Sequence, residues 1–403
     1  MKFTKMSLVA ALLIGSSAFA IENTKVSGDA KLFYNTDDQG TVDLFNKDQA
    51  SGQAAISLGL TTDLTKNVSA GTKVTALSTL GLQGQLVNNV WEGTNGVSDS
   101  WMVNELWLAG TVGNTTGKIG RMELDTPLVF SEQWSIVANT FEAAVVINED
   151  IPDTTLIGAY VGGGNGSQEN GGTGSGYVGL IAAKGGTNDT TFGQFYNGAY
   201  AAGVINNSFK PLTAQAWYYD ATHILSAYWL QADLDATDLG VKGLTAGVQY
   251  SAVNPNAAGA KSGDIYAVKL GYEMADMFAA SVAYSSTNKD AGAGGNLAAY
   301  GQSKIYTEAW WDYGYITRAD TTAYNVTVTS PVQGMFDLGV FYTSSKTKQA
   351  APSADIKMTD LTITAGKDFG PLNTTLVYDN TNADDLNNGK SFNSIQVYLT
   401  YNF

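Results

Sequence analysis

The 403-residue sequence contains no cysteine, which rules out disulfides, thiol catalysis and cysteine metal sites. An exported chain of this kind must find its stability elsewhere, and closure of a sheet on itself is one source. Histidine occurs once, at His223, and arginine only at Arg121 and Arg318. The formal charge is −15, an excess that disfavours nucleic-acid binding, which needs basic patches. Only seven prolines are present, and charged residues make up only 15% of the chain. Beyond the N-terminus, no run reaches the ~18 consecutive apolar residues of a membrane helix. The mature chain is therefore either soluble and exported or a β-barrel.

What is present favours the barrel. The chain has 45 glycines, 21 tyrosines and 8 tryptophans. Abundant glycine and aromatics with few charges suit a sheet that faces lipid on one side and carries aromatic girdles at both rims. At the N-terminus, Lys2 and Lys5 precede a mostly apolar run from Met6 to Gly15, and Ala18-Phe19-Ala20 forms an A-x-A site. This pattern predicts a secretory signal peptide over residues 1–20, leaving 21–403 as a single barrel domain. Loss of Lys2 and Lys5 with the leader takes the formal charge from −15 to −17.

The C-terminal segment carries the clearest periodicity. Ile395, Val397, Leu399, Tyr401 and Phe403 fall on one face, and Ser394, Gln396, Tyr398, Thr400 and Asn402 on the other. A strict period of two over about ten residues is the unit of a transmembrane β-barrel. A last strand ending in Phe also resembles the C-terminal signal of bacterial outer-membrane proteins. The same alternation recurs at Val26 to Tyr34, Val68 to Ala76, Phe278 to Tyr284, Tyr324 to Val328 and Phe336 to Tyr342.

The predicted strands are 24–34, 50–62, 68–80, 101–112, 117–123, 141–148, 154–163, 199–208, 212–220, 224–235, 241–253, 263–272, 276–286, 322–330, 334–344, 357–366, 372–380 and 392–403. An even count of eighteen places both termini on one side. Short turns alternate with longer polar segments, as periplasmic turns alternate with external loops. The 221–223 connection breaks this rule, being external by parity and very short. The glycine-rich stretch Gly162 to Gly176 is read as an external loop, because the helix and lysine that accompany a phosphate-binding loop are missing.

Three blocks are more specific. Gly120-Arg121-Met122-Glu123-Leu124-Asp125-Thr126-Pro127-Leu128 is followed by Asn139-Thr140-Phe141-Glu142-Ala143 and by Ile151-Pro152-Asp153-Thr154-Thr155-Leu156. Ala216-Trp217-Tyr218-Tyr219-Asp220 precedes Ala227-Tyr228-Trp229-Leu230-Gln231-Ala232-Asp233, and Tyr306-Thr307-Glu308-Ala309-Trp310-Trp311 precedes Tyr313-Gly314-Tyr315. These blocks resemble the OprD-type porins, especially the major outer-membrane porins of the campylobacterial group. The resemblance implies an 18-stranded outer-membrane barrel whose third loop folds inward to narrow the pore. It also implies a general diffusion channel or a substrate-preferring one, without cofactor, and a homotrimer in some members. Porins of this type commonly line one wall of the constriction with several arginines. Two arginines cannot build such a ladder, which weighs against specific capture of carboxylated substrates.

Pore selectivity depends on diameter and on charges at the constriction. The acidic candidates are Glu123, Asp125 and Glu132, in or beside the inward loop, although Asp125 before Thr126-Pro127 could instead shape a turn. The basic candidates are Lys31, Lys73 and Lys269, on the polar faces of their strands, with Arg121 beside the loop. A lysine on the lipid face costs up to ~2–4 kcal/mol at mid-bilayer, so the lumen is the expected orientation. With a charge of −17, the expectation is a cation-preferring channel for small hydrophilic solutes and ions, surrounded by outer-membrane lipid.

Other classes are weaker. His223 lies near Asp220 and Ser226, but no nucleophile elbow surrounds the serine, so a barrel hydrolase lacks its motif. Asp37-Asp38 and Asp384-Asp385 offer oxygen ligands of the kind Ca²⁺ takes, without EF-hand spacing. Long external loops could serve adhesion, but no residue identifies a partner.

Overall fold

The computed structural model describes residues 22–47, 50–78, 80–81, 100–132, 137–164, 193–298, 301–332, 334–350 and 352–403. Residues 1–20, expected to be a signal peptide, and most of the glycine-rich segment after Gly164 lie outside them. Eighteen strands form one antiparallel sheet: β1 (Glu22–Asp37), β2 (Ser51–Thr65), β3 (Val68–Ser78), β4 (Ser100–Val112), β5 (Thr115–Met122), β6 (Phe141–Asn148), β7 (Thr154–Gly164), β8 (Gly193–Asn206) and β9 (Leu212–Ala221) make up one half. The other half is β10 (Leu225–Asp235), β11 (Leu244–Pro255), β12 (Gly263–Met274), β13 (Phe278–Thr287), β14 (Thr321–Val332), β15 (Phe336–Thr347), β16 (Ile356–Phe369), β17 (Leu372–Ala383) and β18 (Phe392–Asn402). Each strand pairs with its sequence neighbours, and β1 pairs with β18, so the sheet closes without an edge. Every predicted segment coincides with a strand. The widest gap is at β8, which starts at Gly193 rather than residue 199.

The register explains why these sequences form this surface. Phe33 lies opposite Tyr398 and Gln53, so Lys31, Phe33, Asn35, Gln396 and Ser394 share the lumen face. The alternate residues face outward, and among them Ile56, Leu58, Leu106, Leu108, Ile119, Val248, Val268, Val282 and Leu376 are exposed. Such a band of exposed aliphatics would be a liability in water and is the expected surface in lipid. Tyrosines crown it towards the long-loop side, with ring centroids at 5.3 Å for Tyr160–Tyr200, 5.2 Å for Tyr218–Tyr228 and 5.1 Å for Tyr284–Tyr324. At the short-turn side, Tyr272–Phe278 and Tyr401–Phe403 mark the second rim. Phe403 is outward and 57% exposed, as the terminal alternation predicts.

The tight 221–223 connection is also present. β9 ends at Ala221, β10 begins at Leu225, and His223 takes φ +67° between them. Asp220 pairs with Ser226 across this hairpin, on the outer face, and Asp220 accepts a bond from Tyr218 Oη at 3.3 Å. Among the described residues no hydrogen bond joins His223 to either, so the three do not form a relay.

Two long connections fold into the barrel. The third, residues 123–140 (L3), and the seventh, residues 288–320 (L7), fill much of the interior. Leu128 and Val129 of L3 pack with Leu297, Ile305 and Ile316 of L7 against Trp217, Trp229 and Ile265 of the wall. Val137 and Trp311 meet Phe33, Ala55 and Leu77 on the other side. This lumenal core is the main buried apolar mass of a protein whose outer face is also apolar.

Candidate pore constriction

L3 leaves β5 through a tight turn. Thr126 N donates to Val129 O at 3.1 Å, and Thr126 Oγ1 donates to the same carbonyl at 2.6 Å. The threonine hydroxyl therefore shapes the turn around Pro127, and the Asp125 carboxylate is left 90% exposed. The tip is pinned by Leu128 N, which donates to Tyr219 Oη on β9 at 3.3 Å.

L7 is fixed by a polar network on β10 and β11. Tyr306 Oη donates to Asp233 Oδ1 at 2.5 Å, Gln231 Nε2 donates to Asp233 Oδ2 at 2.5 Å, and Tyr306 N donates to Gln249 Oε1 at 3.0 Å. Burial first, then the Asp233 carboxylate, raises the Tyr306 phenol well above its usual range, so it stays a donor. Glu308 accepts from Ser303 Oγ at 2.6 Å and from the amides of Ala309 and Gly314 at 3.1 Å. Burial outweighs those bonds and pushes its carboxyl up to about 7, with the nearby Glu132 charge adding to the shift.

Against this framework the predicted site residues divide. Lys73 faces the lumen and pairs with Glu123 at 3.7 Å. Asp125 pairs with Lys304 of L7, whose ammonium also lies 4.9 Å from the Phe130 ring centroid. Lys269 stands over the Tyr306 ring at 4.2 Å, and Lys31 lies 3.8 Å from Asp29 on the lumen face of β1. Six charged side chains from β3, β10, β12, L3 and L7, counting Asp233 through Tyr306, thus come together around the inward loops through salt bridges, ring contacts and hydrogen bonds.

Two assignments are corrected. Glu132 does not face the pore. It is 1% exposed, and its Oε1 accepts from Asn296 Nδ2 at 2.9 Å, Gly301 N at 3.0 Å and Gln302 N at 3.1 Å. A carboxylate with three donors on one oxygen is a clamp between L3 and L7. Arg121 does not face the pore either. Met122 and Lys118 point inward, so alternation turns Arg121 outward, opposite exposed Leu106. There it donates to Glu142 Oε1 and to Val103 O, both at 2.9 Å. The preceding Gly120 has φ +130°, and a Cβ there would strike the Leu106 carbonyl, so this stretch of β5 requires glycine.

The sequence reading missed Lys304, Glu105 and Lys118. Lys304 sits in a loop without periodicity, so its inward position left no signal. Lys118 and Glu105 lie on the polar faces of their strands and were accessible to the argument that found Lys73. Lys118 stands 4.3 Å from the Trp107 ring centroid, and Glu105 accepts from Trp107 Nε1 at 3.2 Å. The external acids are already occupied: Asp38 accepts from Asn393, Asp384 from Lys357 N and Asp385 from Arg318 and Tyr315.

The fold has counterparts of known structure. Pseudomonas aeruginosa OccK8 (OprE) superposes with a TM-score of 0.72 at 15% identity, covering 96% of this chain and 99% of that one. Pseudomonas aeruginosa OpdK gives 0.73 at 13% identity, with 94% and 98% covered, and OpdQ gives 0.73 at 13%, with 95% and 98% covered. No protein-family model and no curated protein matches the sequence. The architecture is that of an outer-membrane channel barrel of the OprD/Occ type. At these identities the likeness concerns the fold, and kinship to the campylobacterial porins does not follow from it.

Proposed function

We propose that this protein is a passive, substrate-selective channel of the bacterial outer membrane for small hydrophilic solutes and ions. The observation that carries this reading is the pairing of charges at the inward loops. Lys73 with Glu123 and Asp125 with Lys304 present both signs on L3, L7 and the wall. Such a lining discriminates by matching a solute's own polar groups, whereas a wide pore with unpaired charge would sort mainly by size and sign. One of the similar barrels, OpdK, has been crystallised with vanillate. In this chain the lumenal cations are lysines, point charges without the bidentate fork of arginine, so a bound carboxylate would be held less specifically.

A cation preference follows from the charge of −17, moderated by the paired lysines. Liposome swelling with a panel of sugars, amino acids and carboxylates tests selectivity. Rates that fall smoothly with solute mass alone would leave a general porin instead. The outward Arg121–Glu142 pair is a polar spot on a lipid-facing wall, and assembly as a homotrimer would cover it. Chemical cross-linking in intact membranes tests that assembly.

A further inference from the structure

Three aspartates meet on the inner wall away from the L3 constriction. Asp360 of β16 and Asp379 of β17 point into the lumen, and Asp312 descends on them from L7. One carboxylate oxygen from each lies within 4.8 Å of the others. Asp360 and Asp379 are fully buried. Among the described residues no lysine or arginine pairs with any of the three. The available donors are few: Thr362 Oγ1 is shared between Asp360 at 3.1 Å and Asp379 at 2.7 Å, Thr381 Oγ1 between Asp379 at 3.0 Å and Asp312, Asp312 N reaches Asp360 at 3.0 Å, and the Trp311 amide also donates to Asp360. Each hydroxyl has one proton for two carboxylates.

A second observation lies beside the cluster. Ser394 of β18 is directly opposite Asp379 in the register, on the same lumenal face, and is 1% exposed. Its Oγ has no hydrogen-bond partner. Facing side chains on neighbouring strands stand about 5 Å apart at Cβ, which places this orphaned oxygen beside the acidic cluster. A buried hydroxyl without a partner is costly, and so is charge gathered on three buried carboxyls, and one cation relieves both.

We propose that Asp312, Asp360, Asp379 and Ser394 bind a single Ca²⁺ that fastens L7 to the β16–β18 wall. All four donors are hard oxygens, the set that suits Ca²⁺ or Mg²⁺ and not a soft metal. Ca²⁺ accepts irregular oxygen shells at about 2.3–2.6 Å, whereas Mg²⁺ demands near-ideal octahedral geometry and keeps several waters. Three carboxylate oxygens within 4.8 Å of one another, held on a fixed wall, suit the more tolerant ion. Water or the second carboxylate oxygens complete the shell. The site is independent of which solute the channel passes, so it can stand or fall separately from the proposed transport.

Trp310 and Trp311 directly precede Asp312 and offer a readout. The purified full-length barrel in detergent, stripped with EDTA, is titrated with Tb³⁺ under tryptophan excitation. Saturable sensitised emission that Ca²⁺ displaces is expected. Asp379→Asn and Asp360→Asn should each weaken binding about tenfold or more, because ligand charge sets affinity. Ser394→Ala should weaken it less, and Asp125→Asn not at all. Emission that is absent, or equally strong in Asp360→Asn and Asp379→Asn, overturns the proposal in favour of protons shared among the carboxylates. If those variants fail to fold, Tb³⁺-soaked crystals of the unaltered protein decide. An anomalous peak between Asp312, Asp360 and Asp379 supports the site, and its absence there refutes it.

Discussion

Gly28 and Phe403 close the barrel against each other. Gly28 N donates to Phe403 O at 2.8 Å, Phe403 N donates to Gly28 O at 2.9 Å, and the Phe403 ring occupies the space that a Cβ on residue 28 would need. The last residue thus seals the first strand with backbone and ring together, an aromatic covering a glycine.

Deleting Phe403 should therefore reduce the amount of assembled barrel strongly, since it removes two hydrogen bonds at the seam and the aromatic end of the outer face. Gly28→Leu should produce a milder loss by displacing the ring, costing about 1–3 kcal/mol. Heat-modifiable mobility and surface labelling measure both. Normal surface levels of the truncated chain would show that the seam does not depend on its last residue.

Glu132→Ala should release L3 from L7. Three donors lose their common acceptor in a buried place, at roughly 1–3 kcal/mol for each left unsatisfied. Planar-bilayer recordings should show larger and noisier openings than the unaltered channel, with the strands intact by circular dichroism. A variant with quiet, unchanged conductance would mean that apolar packing alone holds the loops.

Selectivity should respond to the acids that reach the lumen. Glu123→Gln with Asp125→Asn leaves Lys73 and Lys304 without counter-charges. The zero-current potential in a salt gradient should then move toward anion preference, most at low salt, where the Debye length is long. An unaltered potential would take both residues out of the filter.

Acidity should strengthen the docking of L7. The Glu308 carboxyl is raised from 4.5 to about 7, so the folded protein binds a proton that the unfolded chain has lost between those values. Stability contributed by this group is complete below about 4.5 and falls away as pH rises through 7, by at most ~3 kcal/mol before solvent screening. Thermal unfolding should occur at higher temperature at pH 5 than at pH 8, and Glu308→Gln should flatten the difference. A pH dependence unchanged in that variant would assign it to other groups.

The strands were legible because lipid and lumen impose opposite demands on alternate residues, so Ile395 to Phe403 declares its own geometry. The same rule also contained the orientation of Arg121. Met122 inward requires Arg121 outward, but proximity to L3 in sequence suggested the pore. Asp360 and Asp379 stand on polar faces that alternation identifies, yet only the register brings them together with Asp312. Glu132 and Lys304 were beyond reach. They lie in segments without periodicity, and their partners are far away: Glu132 meets Asn296 across 164 positions, and Lys304 meets Asp125 across 179.

The Glu132 clamp also bears on how such a channel can be re-engineered or diversify. A loop on a barrel is ordinarily a replaceable part, free to be exchanged without regard to its neighbours. Here the acceptor belongs to one insertion and the donors to another, so a graft of either alone would bring an ion without its cradle or a cradle without its ion. Swapping specificity between two barrels of this design should succeed only when both segments are transplanted as a matched set.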